Sequence, residues 1–263
     1  MKRRELILGI AGVIVVSLPS RAQQNRKPIV GFLSSSGPGR YVPSVEDFRQ
    51  GLAEYGLVEG RDLIIEFRWA EGRYERLPDL AAELVGRPVD VIVAASTLVA
   101  HTAKNATQTI PIVFSVGGDP VRAGLAASLA KPGGNLTGVS FLVVELHPKR
   151  FQLLMQVVPN TRSIALLVNP DHSESERVIR EVEAAATADG VSLLILKARN
   201  QLEIKDAFGT LAQSGAGGLV LQADPFIDGE RAQLIELSAR HAIPMIAAFR
   251  EFPEAGGQGT EGS

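Results

Sequence analysis

Hydrophobic positions along this chain come in two alternating kinds. Short continuous apolar runs at 29–33, 63–67, 89–94, 112–115 and 137–141 have the length and β-branched content of buried strands. Between them lie stretches with helical spacing at 45–55, 74–85, 98–106 and 121–130. In the first of these Val45, Phe48, Leu52 and Tyr55 recur at three- and four-residue steps. Continuous apolar strands separated by amphipathic helices predict an α/β fold with a parallel sheet covered on both faces.

The pattern then restarts. Helical spacing at 149–158, 174–188, 203–213 and 229–241 alternates with apolar runs at 164–168, 193–196, 218–221 and 245–247. This predicts two α/β lobes, over 23–142 and 143–249, each near ordinary domain size. The join at 143–148 is short and lacks a Ser- or Gly-rich linker, as expected of a hinge. Asp119-Pro120, Asn169-Pro170 and Asp224-Pro225 each follow a strand or its immediate sequel. Asp or Asn before Pro suits a helix N-cap with proline at the first helical position. In an open parallel sheet such caps gather at the carboxyl ends of the strands, where ligands bind. Two such edges facing each other make a cleft.

The start of the chain breaks this pattern. Lys2, Arg3 and Arg4 precede an apolar run at 6–18, closed by Pro19-Ser20-Arg21-Ala22. A basic start, a short apolar run and small residues before the expected cleavage point describe a secretory signal peptide over 1–22. The run is shorter than the roughly 20 residues of a membrane span. Removing the segment takes away four basic residues and one acid, leaving the mature chain more acidic than the whole chain's net charge of −2. A periplasmic location follows as an expectation.

Composition then narrows the chemistry. A chain of 263 residues, 45% hydrophobic and 21% charged, buries a core rather than remaining disordered. Zero cysteines exclude a disulfide framework, a Cys-ligated zinc and a cysteine nucleophile. The charge balance argues against a nucleic-acid partner, and the export segment argues against NAD or ATP. Four scattered histidines, 101, 147, 172 and 241, read as surface or cap residues rather than metal ligands. Neither GxSxG, HExxH, a P-loop nor GxGxxG after the first strand is present. No catalytic residue, metal or cofactor is expected.

What the strand ends carry is hydrogen-bonding capacity without reactive groups. Ser34 and Ser35 end the first strand, Ser96 and Thr97 follow the third, and Ser115 ends the fourth. Hydroxyls and free N–H groups at a helix N-terminus suit a carboxylate. Asp119 or Asp224 can meet an ammonium group, and Tyr41, Phe141 and Phe249 can wall an apolar or aromatic side chain. Together these groups fit an amino acid. Each also has a plainer role as a turn, cap or core residue; Trp69 is expected to pack, and Lys149-Arg150 to form a solvated face.

Several segments resemble a known family. They include Val30-Gly31-Phe32-Leu33-Ser34-Ser35, the run 48–56, Gly118-Asp119-Pro120-Val121, and Leu129-Ala130-Lys131-Pro132-Gly133-Gly134-Asn135-Leu136-Thr137-Gly138. In the second half they include Asn169-Pro170 and Phe249-Arg250-Glu251-Phe252. The chain is similar over 27–257 to ABC-transporter substrate-binding proteins of the tryptophan/tyrosine-binding type, with the type I periplasmic-binding-protein fold. The resemblance implies two Rossmann-like lobes that capture a small solute and deliver it to a membrane permease driven by an ATPase. It carries over Ser34, Ser35, Ser96, Thr97, Asp119, Asn169 and Asp224 as candidate pocket residues. A ligand-sensing domain for a receptor or sensor kinase, and an exported α/β enzyme, are the alternative classes. Family members continue past a Glu-Ala-Gly-Gly run with further structure. Here Glu254-Ala255-Gly256-Gly257 leads into six polar or glycine residues, so an irregular tail over 250–263 and a truncated copy are expected.

Overall fold

The computed structural model describes residues 26–38 and 42–255. The export segment, Tyr41 and residues 256–263 lie outside the described residues. The chain runs β1 (Ile29–Ser34), α1 (Val42–Glu54), β2 (Ile64–Trp69), a 3-10 turn Tyr74–Arg76, α2 (Leu77–Val85), β3 (Val91–Ala95), α3 (Thr97–Ala106), β4 (Ile112–Val116) and β5 (Leu136–Ser140). A 3-10 turn Val144–Leu146 leads into α4 (His147–Val157), β6 (Ser163–Val168), α5 (Ser175–Ala188), β7 (Ser192–Lys197), α6 (Gln201–Ser214) and β8 (Leu219–Leu221). Then follow α7 (Pro225–Gly229), α8 (Arg231–His241), β9 (Met245–Ile246) and α9 (Glu251–Glu254).

The strands form two parallel sheets, β2-β1-β3-β4-β5 and β7-β6-β8-β9. Each sheet is covered on both faces, which is why its central strands read as unbroken apolar runs. In the first lobe α2 and α3 bury Leu84 and Val99 against Ile92, Ile112 and Phe114. On the opposite face α1 lays Phe48 and Leu52 over Phe32 and Ile65. Trp69 packs, as expected, stacked on Phe67 at 5.5 Å and 5°. In the second lobe α6 and α8 supply Phe208 and Leu234 to one face, while α4 and α5 supply Phe151 and Val182 to the other.

Several expectations are corrected. The helical spacing at 121–130 gives no helix. Asp119 and Pro120 start one turn, with Ala123 N donating to the Asp119 carbonyl at 2.9 Å, and Gly124 then takes a left-handed φ of 69° that ends it. Tyr55 lies beyond the end of α1 and is 87% exposed, so it belongs to no core face. The stretch at 229–241 is α8 alone, preceded by the separate turn of α7. Where an irregular tail was expected, Glu251–Glu254 form a helical turn that seats Phe252 in the second core.

Gly138 on β5 sits directly beside Phe114 on β4. A Cβ there would lie 2.0 Å from the Phe114 carbonyl oxygen and 2.6 Å from its ring. Backbone cannot retreat as a flexible side chain can, so the pairing itself would have to shift. Gly138→Ala is therefore expected to lower stability by about 1–3 kcal/mol, read as a lower urea midpoint of the folded protein.

Candidate functional site

The carboxyl ends of β1, β3 and β4 face those of the second sheet across a cavity of about 630 Å³, a size typical of small-molecule sites. The first-lobe wall begins at Ser96, the N-cap of α3, whose φ of 133° lies in a region that side chains rarely adopt. Its Oγ accepts from Val99 N at 3.4 Å, and the N–H groups nearer the start of α3 have no partner within the helix. Thr97 and Ser115 stand beside it. Phe32, Phe48 and Phe141 line the same side, and Phe249 and Phe252 line the other. Phe141 is 59% exposed and is thus a cleft residue rather than a core one.

Of the residues singled out from the sequence, Ser96, Thr97, Ser115, Phe141, Asp224 and Phe249 meet around this cavity. Ser34, Ser35, Asp119 and Asn169 lie outside its lining. Ser34 is buried and its Oγ accepts from Ser36 N at 3.2 Å. Ser35 Oγ is buried without a hydrogen-bond partner among the described residues. Asp119 accepts from Val121 N at 2.8 Å, and so caps a surface turn rather than a helix. Asn169 Oδ1 likewise caps only a turn, accepting from Asp171 N at 3.1 Å, because α5 begins six residues later at Ser175.

Asp224 is the one strand-end carboxylate that does cap a helix. Its Oδ1 accepts from Phe226 N and Ile227 N, both at 2.9 Å. Its Oδ2 accepts from the Tyr74 hydroxyl of the first lobe at 3.1 Å. Asn169 Nδ2 completes the contact, donating to Tyr74 Oη at 3.2 Å and to both Asp224 oxygens at 3.3 Å. Ser36 Oγ also crosses between the lobes, donating to the Pro225 carbonyl at 3.3 Å. Burial, then the Asp224 charge, hold the Tyr74 phenol far above its usual titration range, so it stays a donor. Nothing in the sequence around Tyr74 marks this role, since the residue sits in an unremarkable 3-10 turn.

A two-lobed molecule with its cavity at facing strand ends has the shape of a solute-binding protein. A family model described as ABC transporter substrate binding protein matches residues 6–262. The chain belongs to that family. It is 26% identical, over 94% of its length and 75% of the relative's, to the "Tyrosine-binding protein" of Clostridioides difficile (strain R20291). Among solved structures, a conserved domain protein of Vibrio cholerae O1 biovar eltor superposes with a TM-score of 0.78 at 25% identity, covering 88% of this chain and 77% of that one. The ABC domain of Streptococcus pneumonia in complex with L-Trp gives 0.75 at 22% identity, with the same coverage. The resemblance to this family and the type I periplasmic-binding-protein fold are thereby borne out. Substrate-binding proteins of this family are typically extracytoplasmic and generally non-enzymatic, and they bind small solutes for a membrane permease.

The hinge of this substrate-binding protein holds two further residues that sequence reasoning misplaced. His147, expected as a surface or cap residue, does stand at a helix start but is fully buried there. Its Nε2 accepts from Ala223 N at 3.0 Å, which requires a lone pair there and puts the proton on Nδ1, 2.6 Å from the Val144 carbonyl. The ring thus ties the interlobe crossing to the end of β8. Arg150, expected on a solvated face, is buried too, with Nη2 donating to the Val143 carbonyl at 2.6 Å. Burial foremost pulls the His147 imidazole down to about 4; the Val144 carbonyl opposes it, and nearby Arg150, Arg177 and His172 add smaller lowering pulls.

Two outcomes follow for this site. His147 titrates near 6.5 when unfolded and lower when folded, so its contribution is intact above 6.5 and is lost as pH falls toward about 4. Wild type should lose on the order of 3 kcal/mol over that window from this residue, and His147→Gln should lose that much less, in urea titrations at each pH. Tyr74→Phe removes the hydroxyl between the lobes and leaves Asp224 short of one donor. It is expected to raise the radius of gyration of the empty protein in small-angle X-ray scattering while keeping both lobes folded.

Proposed function

We propose that this protein is the exported solute-binding component of an ABC uptake transporter, taking an amino acid, aromatic ones foremost, into the cleft between its lobes. The carrying observation is the cavity of about 630 Å³ whose walls come from both lobes and combine aromatic rings with an open helix N-terminus and carboxylates. Ser96, Thr97 and Ser115 offer hydroxyls and backbone N–H groups to a carboxylate. Phe141, Phe249 and their neighbours take the side chain. The names of two relatives, one a tyrosine-binding protein and one a complex with L-Trp, support the aromatic assignment. The basic start, apolar run and small residues of 1–22 support export into the periplasm and release from the leader.

Binding works as a population shift. A solute that touches both walls only when the lobes are closed stabilises closure by the free energy of the second set of contacts. The closed form is then presented to a permease and its ATPase, which gain access to the solute as the lobes part. The Tyr74–Asp224–Asn169 contact pre-weights the closed form, so less of the solute's binding energy goes into closing.

Differential scanning fluorimetry against the L-amino acids tests this. At a hundred times Kd a ligand adds about 2.7 kcal/mol, which in a chain of this size raises Tm by about 5–10 °C. L-Trp, L-Tyr or L-Phe should give that rise and glycine or L-Asp should not. A folded protein that responds to none of the L-amino acids would refute the assignment.

A further inference from the structure

The acidic side of the cleft is not uniform. Asp224 faces the cavity, yet both of its oxygens are occupied, Oδ1 by the α7 backbone and Oδ2 by Tyr74, with Asn169 on both. A further donor from a solute would have to displace one of these. Asp228, one turn further along α7, also lines the cavity. Its carboxylate makes no hydrogen bond or ion pair among the described residues. The two nearby cations place their hydrogen bonds elsewhere: Arg231 Nη1 donates to the Asp228 backbone carbonyl at 3.3 Å, and Arg150 Nη2 to the Val143 carbonyl at 2.6 Å. Glu251 lines the same wall, and its Oε2 is buried with no hydrogen-bond partner. A buried carboxylate oxygen without a donor, as at Glu251, is costly unless something supplies the donor. No cluster of three metal-binding side chains exists among the described residues, so a resident metal is not the missing group.

We infer that Asp228 and Glu251 together read a protonated amine on the solute, and that Asp224 is reserved for holding the lobes to each other. An ammonium group has three donors on one small charged centre, enough to serve two carboxylates at once. The aromatic walls beside it, Phe249 and Phe252, add faces that favour a cation. The ligand class is thus an amine carried on an aromatic body. The inference rests on the proposed amino-acid cargo only for the identity of that body.

The charges around Asp228 make the assignment readable. Burial, then Asp224, push its carboxyl well above the usual range, Glu251 adds to this, and Arg150 and Arg231 pull it back. Asp47 and His172 complete the ionisable lining of the cavity. An arriving ammonium reverses the balance and displaces the proton held in the empty cleft. Amine binding is therefore expected to release a proton and to strengthen as pH rises.

The test is isothermal titration calorimetry on the whole mature protein, in two buffers of different ionisation heat. The probes are L-Trp, L-Tyr, tryptamine, tyramine and indole-3-propionate. Wild type should bind the amine-bearing probes with a buffer-dependent heat that reports proton release, and indole-3-propionate about tenfold or more weaker without it. Asp228→Asn should weaken the amines by about tenfold or more, leave indole-3-propionate unchanged and abolish the proton release. Glu251→Gln should weaken the amines to a smaller degree, and it serves if Asp228→Asn does not fold. Binding of L-Trp and L-Tyr that neither substitution alters, or that releases no proton, overturns the inference and leaves the proposed function standing. Binding of tryptamine but of no amino acid, lost in Asp228→Asn, upholds the inference and overturns the proposed cargo. If none of the amines binds, both fall.

Discussion

The molecule is organised around one carboxylate, that of Asp224. Five hydrogen bonds converge on it: two from the backbone N–H groups that start α7, two from the Asn169 amide, which reaches both oxygens, and one from a phenol of the other lobe. A buried charge tolerates no shortage of donors, because the interior offers no water in exchange. The position of α7, the direction of Asn169 at the end of β6 and the approach of the Tyr74 turn are therefore coupled. Moving any one leaves the charge short. The cleft is built on that coupling, since Asp228 follows one turn after Asp224 and α7 sets where its carboxylate points.

The opposite wall works by a different physical means. It carries no full charge at the end of β3, only the dipoles of α3 and hydroxyls held in place by a strained Ser96 backbone. Strain of that kind persists only where the surrounding structure over-determines it, and here the pairing of Ala95 with Ser34 and Ser115 holds the chain before the residue while α3 begins directly after it. The cleft thus sets the dipoles at the end of β3 against the carboxylates of α7 and α9, with rings between them and Asp47 of α1 on the first-lobe side. Such a polarity along the cavity suits a solute with opposite charges at its ends.

Much of this was legible because it is local. The alternation of apolar runs and amphipathic stretches follows from sheets covered on both faces, and strands and helices appear where the periodicity changes. Ser96 and Asp224 were legible as caps because a cap is written in adjacent residues. What was not legible depends on partners distant in sequence. Tyr74 lies in a turn with no motif, and its role appears only when residues 150 positions away fold beside it. His147 and Arg150 looked like solvated residues because their helix begins with polar side chains, yet the hinge carbonyls of Val143 and Val144 draw them inward. The stretch 121–130 shows the reverse error: helical spacing was present, but Gly124 and the turn at Asp119 stopped propagation after a single turn. Asp228 was passed over because it falls between the Asp224-Pro225 cap and the helical spacing at 229–241, with no motif around it.

Among the described residues the chain passes from one sheet to the other once, through the turn at Val144–Leu146. Two rigid bodies joined by a single strand of backbone can swing, twist and slide against each other. The contact of Tyr74 with Asp224 and Asn169 supplies a second point of attachment, well separated from the first along the chain. The first attachment is backbone and persists, whereas the second is made of side chains that can part and meet again. It therefore acts as a latch: while it is made, the two walls of the cleft are held in one register.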